Sequence, residues 1–337
     1  MSGNETEPAP GSGGLRAVLA ALAANVGIAV IKFVAFAFTG SSAMLAESAH
    51  SLADSGNQLL LLFGRARARR AETEEHPFGF GSERYFYAFV VAVVLFTVGA
   101  VFSFYEALHK ISHPEPVRTP VVAFAVLAAA IAAESFSLRT AVRESSRERG
   151  RRGWLSFIRR AKAPELPAIL LEDVAALTGL VFALAGVTLA VVTGDGVWDG
   201  VGSLAIAVLL ACVAVILAVE MKSLLIGESA SGEVVRAIVT ALEDGPEVER
   251  VIHLRTMHMG PESLLVAAKI AVRHDDRAAA VAAGIDAAER RVRAAVPIAS
   301  LIYLEPDLYQ EAAADVTDPA IRAARVPRTA PARRKAT

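Results

Sequence analysis

Six long apolar segments restrict how this chain of 337 residues can fold more than any other property of its sequence. Each segment is about as long as the roughly 20 residues that an α-helix needs to cross a bilayer. Hydrophobic residues make up 54% of the chain, which is too many for an ordinary soluble protein of this size. The sequence therefore predicts an α-helical polytopic membrane protein with six transmembrane helices. The predicted segments are 15–39, 42–64, 84–108, 119–140, 166–193 and 200–226.

Positive charge is concentrated in two of the links between these segments. Arginines follow the second segment from Arg65 to Arg70, and Lys and Arg residues fill the link after the fourth segment from Arg143 to Lys162. The link between segments one and two and the link between segments five and six contain neither Lys nor Arg. The positive-inside rule places the basic links and both termini in the cytoplasm. We expect the protein in the cytoplasmic (inner) membrane. A net charge of -1 argues against a nucleic-acid partner.

Segment two has one polar face. At about 100° per residue, Glu47, His50, Asp54, Asn57 and Gln58 fall within an arc of about 100°. An ionised carboxylate in mid-membrane costs on the order of 3 kcal/mol, so such a face is expected to meet protein or water. His50 and Asp54 are one turn apart and can reach the same cation. This pattern predicts half of a divalent-metal site.

Segment five carries the second pair of acidic residues, Glu172 and Asp173. Neighbouring helical residues point about 100° apart, so the two carboxylates cannot face the same way. We expect one of them to face the site and the other to face water or a basic partner. Charged residues at the segment ends, such as Glu83 and Arg84, are expected to reach water.

A small module follows the membrane segments. Its pattern predicts the order αββαβ, which suggests a two-layer, ferredoxin-like α+β domain in the cytoplasm. The predicted elements are a helix at 231–243, strands at 248–258 and 263–273, a helix at 277–295 and a strand at 299–305.

These patterns divide the chain into four predicted parts. The two ends are rich in Gly, Pro, Ser or Ala and lack apolar periodicity, which is typical of disordered tails. The parts are a tail at 1–14, a transmembrane domain at 15–228, a dimerisation or regulatory domain at 229–310 and a basic tail at 311–337.

The motifs together identify a family resemblance. His50-x-x-x-Asp54, Asp173, the motif beginning at His76-Pro77 and the αββαβ module resemble the cation diffusion facilitators, a family of proton-coupled zinc and manganese exporters. The resemblance implies efflux of a divalent cation by alternating access, with protons as the second substrate. It also implies a homodimer formed through the cytoplasmic module, no enzymatic activity and no prosthetic group.

The resemblance implies a metal held by His50, Asp54 and Asp173. The fourth ligand is then water, Glu47, Asn57 or Glu172, which leaves the choice between the two adjacent carboxylates open. The family often places His or Asp one turn before the segment-five Asp, where this chain has Ile169. Together with the motif Leu-Leu-Glu172-Asp173-x-Ala-Ala and with Asn57-Gln58, that departure makes the chain similar to the branch of the family related to its mitochondrial zinc transporter.

The module retains few of the family's metal-binding positions. His253 matches one of them, but the last strand reads Ile302-Tyr303-Leu304-Glu305, where the family often has His and Asp. The resemblance therefore implies a dimer held by packing rather than by zinc.

The sequence allows more than one cation, and it allows a metal-binding protein that does not transport the cation. Imidazole and carboxylate suit zinc, and a single cysteine, Cys212, argues against a thiolate site. Manganese, iron and cobalt are the alternative cations. A membrane-anchored metal sensor or scaffold is the alternative function. An intramembrane metalloprotease is disfavoured because the chain lacks His-Glu-x-x-His.

Overall fold

A computed structural model describes residues 12–39, 42–115, 117, 120–150 and 153–309. The predicted C-terminal tail and most of the predicted N-terminal tail lie outside these residues. Several side chains in the first two helices, including those of Glu47 and His50, are also outside the described part. The chain divides after Leu225 into two compact units.

The first unit is helical. Its helices follow the six predicted segments, but α1 begins three residues early and α5 continues nine residues into the basic link. The short helix α6 in that link was not predicted from the sequence. The helices are α1 (Ser12–Thr39), α2 (Ser42–Arg67), α3 (Glu83–Val90), α4 (Phe96–Ser112), α5 (Pro120–Arg149), α6 (Trp154–Arg160), α7 (Glu165–Thr193) and α8 (Val197–Ile226).

A π-helical turn at Val91–Leu95 joins α3 to α4, so the third predicted segment is one long helix with an irregular turn inside it. Among the described residues, four helices are long and apolar enough to cross a membrane. They are Glu83–Ser112, Pro120–Arg149, Glu165–Thr193 and Val197–Ile226.

The surface of these helices is apolar, as a bilayer requires. Large hydrophobic side chains lie exposed along them, including Ile31, Phe102, Phe136, Val192 and Val215. Such side chains are favourable against acyl chains but unfavourable against water. The exposed surface of the first unit therefore fits a lipid environment.

Two glycines allow α7 and α8 to approach closely. A β-carbon added at Gly186 would lie 2.9 Å from the carbonyl oxygen of Trp198 and 3.2 Å from the Cα of Gly202. Close approach at small residues is typical of helix pairs in membranes, where packing drives association. This contact fixes α7, the helix that carries Glu172 and Asp173, against α8.

The second unit contains a small sheet and two helices in the order αββαβ. In the central strand β2 alternate side chains are buried, as a strand with one face on a core requires. Strand β2 pairs antiparallel with β1 and parallel with β3. The elements are α9 (Gly232–Glu243), β1 (Arg250–Gly260), β2 (Ser263–Ala271), α10 (Ala278–Ala295) and β3 (Leu301–Asp307).

Both helices contribute to the core of this module. Ile238 and Leu242 of α9 and Val292 of α10 are fully buried, together with Leu264 and Val266 of β2. On α9 the spacing of four residues between Ile238 and Leu242 places both side chains on the helix face that packs on the core. The helical and strand periodicities read from the sequence therefore bury a common core.

Arg291 of α10 binds the end of α9. Its Nε donates to the carbonyl oxygen of Ala241 at 2.8 Å and its Nη2 to that of Leu242 at 3.3 Å. These last-turn carbonyls have no intrahelical partner in an α-helix. Arg291 also pairs with Glu247. Burial opposes the charge on Glu247, but its own backbone N–H and Arg291 outweigh burial and lower the pKa of this carboxyl.

We expect Arg291→Met to lower the free energy of unfolding of the module by about 1–3 kcal/mol, because buried acceptors lose a charged donor. Arg291→Lys keeps the charge but lacks the planar guanidinium group with its several donors. It is therefore expected to recover only part of the lost free energy of unfolding. Because the pKa of Glu247 is lowered in the folded state, its contribution is present above the unfolded pKa. It is lost as pH falls through the lowered folded value. Thermal unfolding of the full chain at neutral and acid pH measures both effects, and equal stability of Arg291→Met and wild type at neutral pH would contradict them.

Candidate metal centre

The C-terminal half of the polar face of α2 is buried in the helical unit. Asn57 is 5% exposed and Gln58 1% exposed, while Asp54, one turn earlier, is partly exposed. The side chains of Glu47 and His50 on the same face lie outside the described residues. At Asn57 and Gln58 the face therefore meets protein, as the cost of polar groups in a bilayer requires.

Glu172 of α7 is the carboxylate that faces α2. Its Oε1 accepts hydrogen bonds from Nδ2 of Asn57 at 3.1 Å and from Nε2 of Gln58 at 3.3 Å. The Oε1 of Gln58 in turn accepts from Nδ2 of Asn25 at 3.4 Å. A chain of amide groups thus connects α1, α2 and α7 at this carboxylate.

Asp173 turns toward α5 instead. It is 7% exposed, and the hydroxyl of Ser137 lies 3.2 Å from each of its carboxylate oxygens. The charge of Glu134, also on α5, acts on the same carboxyl. The two adjacent carboxylates do diverge, but Asp173 meets a hydroxyl and another acid rather than the expected water or basic partner.

Asp54 of α2 influences both acidic residues of α7 through its charge. Its charge acts on both Glu172 and Asp173, which places the three carboxylates from α2 and α7 in one electrostatic cluster. Within the described part of the chain, no group of three His, Cys, Asp or Glu side chains is close enough to hold a metal ion. The side chain of His50 lies outside the described residues. The three carboxylates therefore interact electrostatically but do not form a ligand shell among the described side chains.

Glu134 and Ser137 were not singled out by sequence reasoning. Glu134 could have been found from the sequence, because it is a carboxylate within an apolar segment. An ionised carboxylate there has the same cost in the bilayer as that of Asp54. Ser137 gave no signal, because a serine in a transmembrane helix commonly bonds the backbone of its own helix. Only the packing of α5 on α7 identifies these residues as neighbours of Asp173.

A buried ion pair joins α3 to the start of α7. Nε and Nη2 of Arg84 lie 2.7 Å and 2.6 Å from Oε1 of Glu165. Arg84 is 6% exposed and Glu165 1% exposed, so the expectation that Arg84 reaches water is wrong. Its neighbour Glu83 is partly exposed and pairs with Arg67 of α2 at 3.2 Å. Side chains on α3 thus connect the start of α7 with the end of α2.

Comparison with known proteins gives a family match over most of the helical unit. Residues 18–226 match the family model of the cation efflux transmembrane domain. The chain is 31% identical over 247 residues to the proton-coupled zinc antiporter SLC30A9, mitochondrial, of Homo sapiens, covering 73% of this chain and 44% of that protein. The Xenopus laevis protein of the same name is 32% identical over 242 residues, covering 71% of this chain and 43% of the relative.

A plant protein is similar over a comparable length. Metal tolerance protein C4 of Arabidopsis thaliana is 28% identical over 257 residues, covering 76% of this chain and 56% of that protein. This chain therefore spans about half the length of the curated relatives it matches.

Proposed function

The chain belongs to the cation diffusion facilitator family, and we propose that it exchanges a divalent metal cation, zinc, for protons across a membrane by alternating access. The observation that carries this proposal is the contact between Glu172 of α7 and the buried polar face of α2 at Asn57 and Gln58. The electrostatic reach of Asp54 to both acidic residues of α7 supports the same site.

The proposed ligands come from two helices. His50 and Asp54 of α2 supply an imidazole and a carboxylate, and Asp173 and Glu172 supply carboxylates from α7. Asn57 adds a carbonyl oxygen to the same site. Glu47, one turn before His50, is a further candidate ligand for the remaining position. Closure of this set around a cation requires the side chains of α2 and α7 to move together, because the described ones do not form a metal site.

Exchange for protons follows from the chemistry of these ligands. A metal binds neutral imidazole and ionised carboxylates, so protons compete with it for the same atoms. After the metal leaves on one side, the imidazole and the carboxylates can bind protons from that side. When the site reopens to the other side, these protons are released there. Metal and protons then use one site in turn, without a separate proton pathway.

Imidazole with carboxylates suits zinc, whereas an oxygen-rich set also accepts manganese, iron or cobalt. These cations are the alternatives within the same transport function. A membrane-anchored sensor or scaffold that binds metal without moving it is the alternative of a different class. Metal flux in proteoliposomes separates the two functions.

The membrane arrangement is part of the proposal. We propose six transmembrane helices, formed by α1, α2, the α3–α4 pair, α5, α7 and α8, with a ferredoxin-like module that forms a homodimer through packing. The arginines after α2 and in the link after α5 support cytoplasmic termini, and we propose the inner membrane as the location. The two vertebrate relatives are named as mitochondrial proteins, so direct localisation of the chain tests this part.

His50→Ala is expected to lower zinc flux under a pH gradient by more than about 10-fold, because the site loses its only nitrogen ligand. Flux into proteoliposomes containing a zinc-sensitive dye measures the effect. His109→Ala, at an exposed position near the end of α4, is the matched control and is expected to transport like wild type. Zinc transport by His50→Ala at the wild-type rate would rule out the proposed site.

A further inference from the structure

Gln58 is the most buried polar side chain of α2 in the described part of the chain, and both ends of its amide are hydrogen-bonded. Its oxygen accepts from Asn25 of α1 and its nitrogen donates to Glu172 of α7. A carboxylate oxygen can only accept from these amides, so the nitrogen of Gln58 must face Glu172. The hydrogen bond from Asn25 to the oxygen of Gln58 is consistent with this orientation of the Gln58 amide. Gln58 is therefore held in one orientation by two different helices.

Asn57 is oriented by the same carboxylate oxygen. Its Nδ2 donates to Oε1 of Glu172, which turns its carbonyl oxygen Oδ1 away from that carboxylate. This Oδ1 is buried and has no hydrogen-bond partner among the described residues. Buried acceptors without a partner are uncommon in folded proteins. An amide carbonyl oxygen is also a ligand that divalent cations accept.

We propose that Gln58 and Asn25 are positioning residues of the transport site, which hold Glu172 so that the Oδ1 of Asn57 is presented to the cation. This inference rests on the proposed transport function. Asn57 contacts the cation, while Gln58 and Asn25 act through Glu172. Because Asn25 lies on α1, the orientation of the ligand depends on the contact of α1 with α2 as well as on α7. Groups that orient ligands in this way typically change metal affinity by about 10-fold to 100-fold when removed.

The test uses the full chain in proteoliposomes and measures the KM and maximal rate of zinc uptake. Gln58→Met removes both hydrogen bonds at similar volume, and we expect it to raise KM by about 10-fold to 100-fold while the maximal rate per folded molecule is retained. Asn25→Leu, at a partly exposed position, is expected to raise KM in the same direction. If both act through Glu172, the double variant has the KM of Gln58→Met rather than the product of the two effects.

Two further measurements separate positioning from a general structural role. Calorimetric titration of zinc into detergent-solubilised protein is expected to show the same loss of affinity as the KM. Ser145→Ala alters another fully buried polar residue, on α5, and is expected to leave KM unchanged. A purely structural role for Gln58 would instead lower the amount of folded protein and leave the KM of the remainder at the wild-type value.

The outcomes also distinguish this inference from the proposed function. Wild-type protein that moves neither zinc nor manganese, iron or cobalt would overturn the proposed function, and the positioning role with it. Wild-type protein that transports zinc, with an unchanged KM in both Gln58→Met and Asn25→Leu, would overturn only the positioning role. If Gln58→Met does not fold, the KM of Asn25→Leu decides the question.

Discussion

Glu172→Gln is expected to lower the zinc affinity of the site by at least about 100-fold, more than the loss of an outer orienting group. The substitution removes the negative charge that faces α2 and replaces one carboxylate oxygen with an amide nitrogen, which cannot bind a cation. The amide donors of Asn57 and Gln58 then bond a neutral carbonyl oxygen instead of a carboxylate. Zinc titration of the purified protein measures the affinity, and Glu74→Gln in the exposed loop after α2 is the control for loss of one charge.

Comparison with Asp173→Asn resolves which acidic residue of α7 dominates the site. Asp173 accepts from Ser137 of α5, whereas Glu172 is bonded to α2. We therefore expect Glu172→Gln to reduce zinc affinity at least as much as Asp173→Asn. Wild-type affinity in Glu172→Gln, together with a large loss in Asp173→Asn, would show that Asp173 alone supplies the α7 ligand.

Arg84→Met is expected to destabilise the helical unit by about 3–5 kcal/mol, because Glu165 would be left as a buried charge without its cation. Both side chains are almost inaccessible, so solvent cannot replace the lost partner. The double variant Arg84→Met/Glu165→Leu removes both charges and is expected to recover much of the loss. Thermal unfolding of the full chain in detergent measures all three proteins.

The pair between Arg67 and Glu83 provides the matched control, since it joins the same region of the chain at more exposed positions. Arg67→Met is expected to cost only about 0–1 kcal/mol, as is usual for a partly exposed ion pair. Similar destabilisation by Arg67→Met and Arg84→Met would mean that burial does not determine the importance of these pairs.

The helical framework was predictable because its signal is local. A segment of apolar residues identifies a membrane helix without information on its neighbours, and the alternation in β2 identifies a half-buried strand. The polar face of α2 was found from helical geometry, which needs only the spacing of its residues. Asn57 and Gln58 were placed on that face from the sequence, and the structure buries both.

The pairing of side chains between helices was not predictable in the same way. Glu172 and Asp173 are adjacent and chemically alike, and only the positions of α2 and α5 around α7 determine which helix each one faces. The short helix α6 lies in a basic link whose composition resembles a loop. The position of Arg84 at the end of a segment predicted an exposed side chain. Its burial depends on Glu165, which is 81 residues away in the sequence.

The location of bound zinc tests the central claim most directly, because the proposed transport site requires α2 and α7 to bind the same ion. Crystals of the protein soaked in zinc are to be measured at the zinc absorption edge. The account predicts an anomalous peak about 2.0–2.2 Å from oxygens of Asp54 and of Glu172 or Asp173, with His50 as the nitrogen ligand. Zinc bound only elsewhere, with Asp54 turned away from α7, would contradict it.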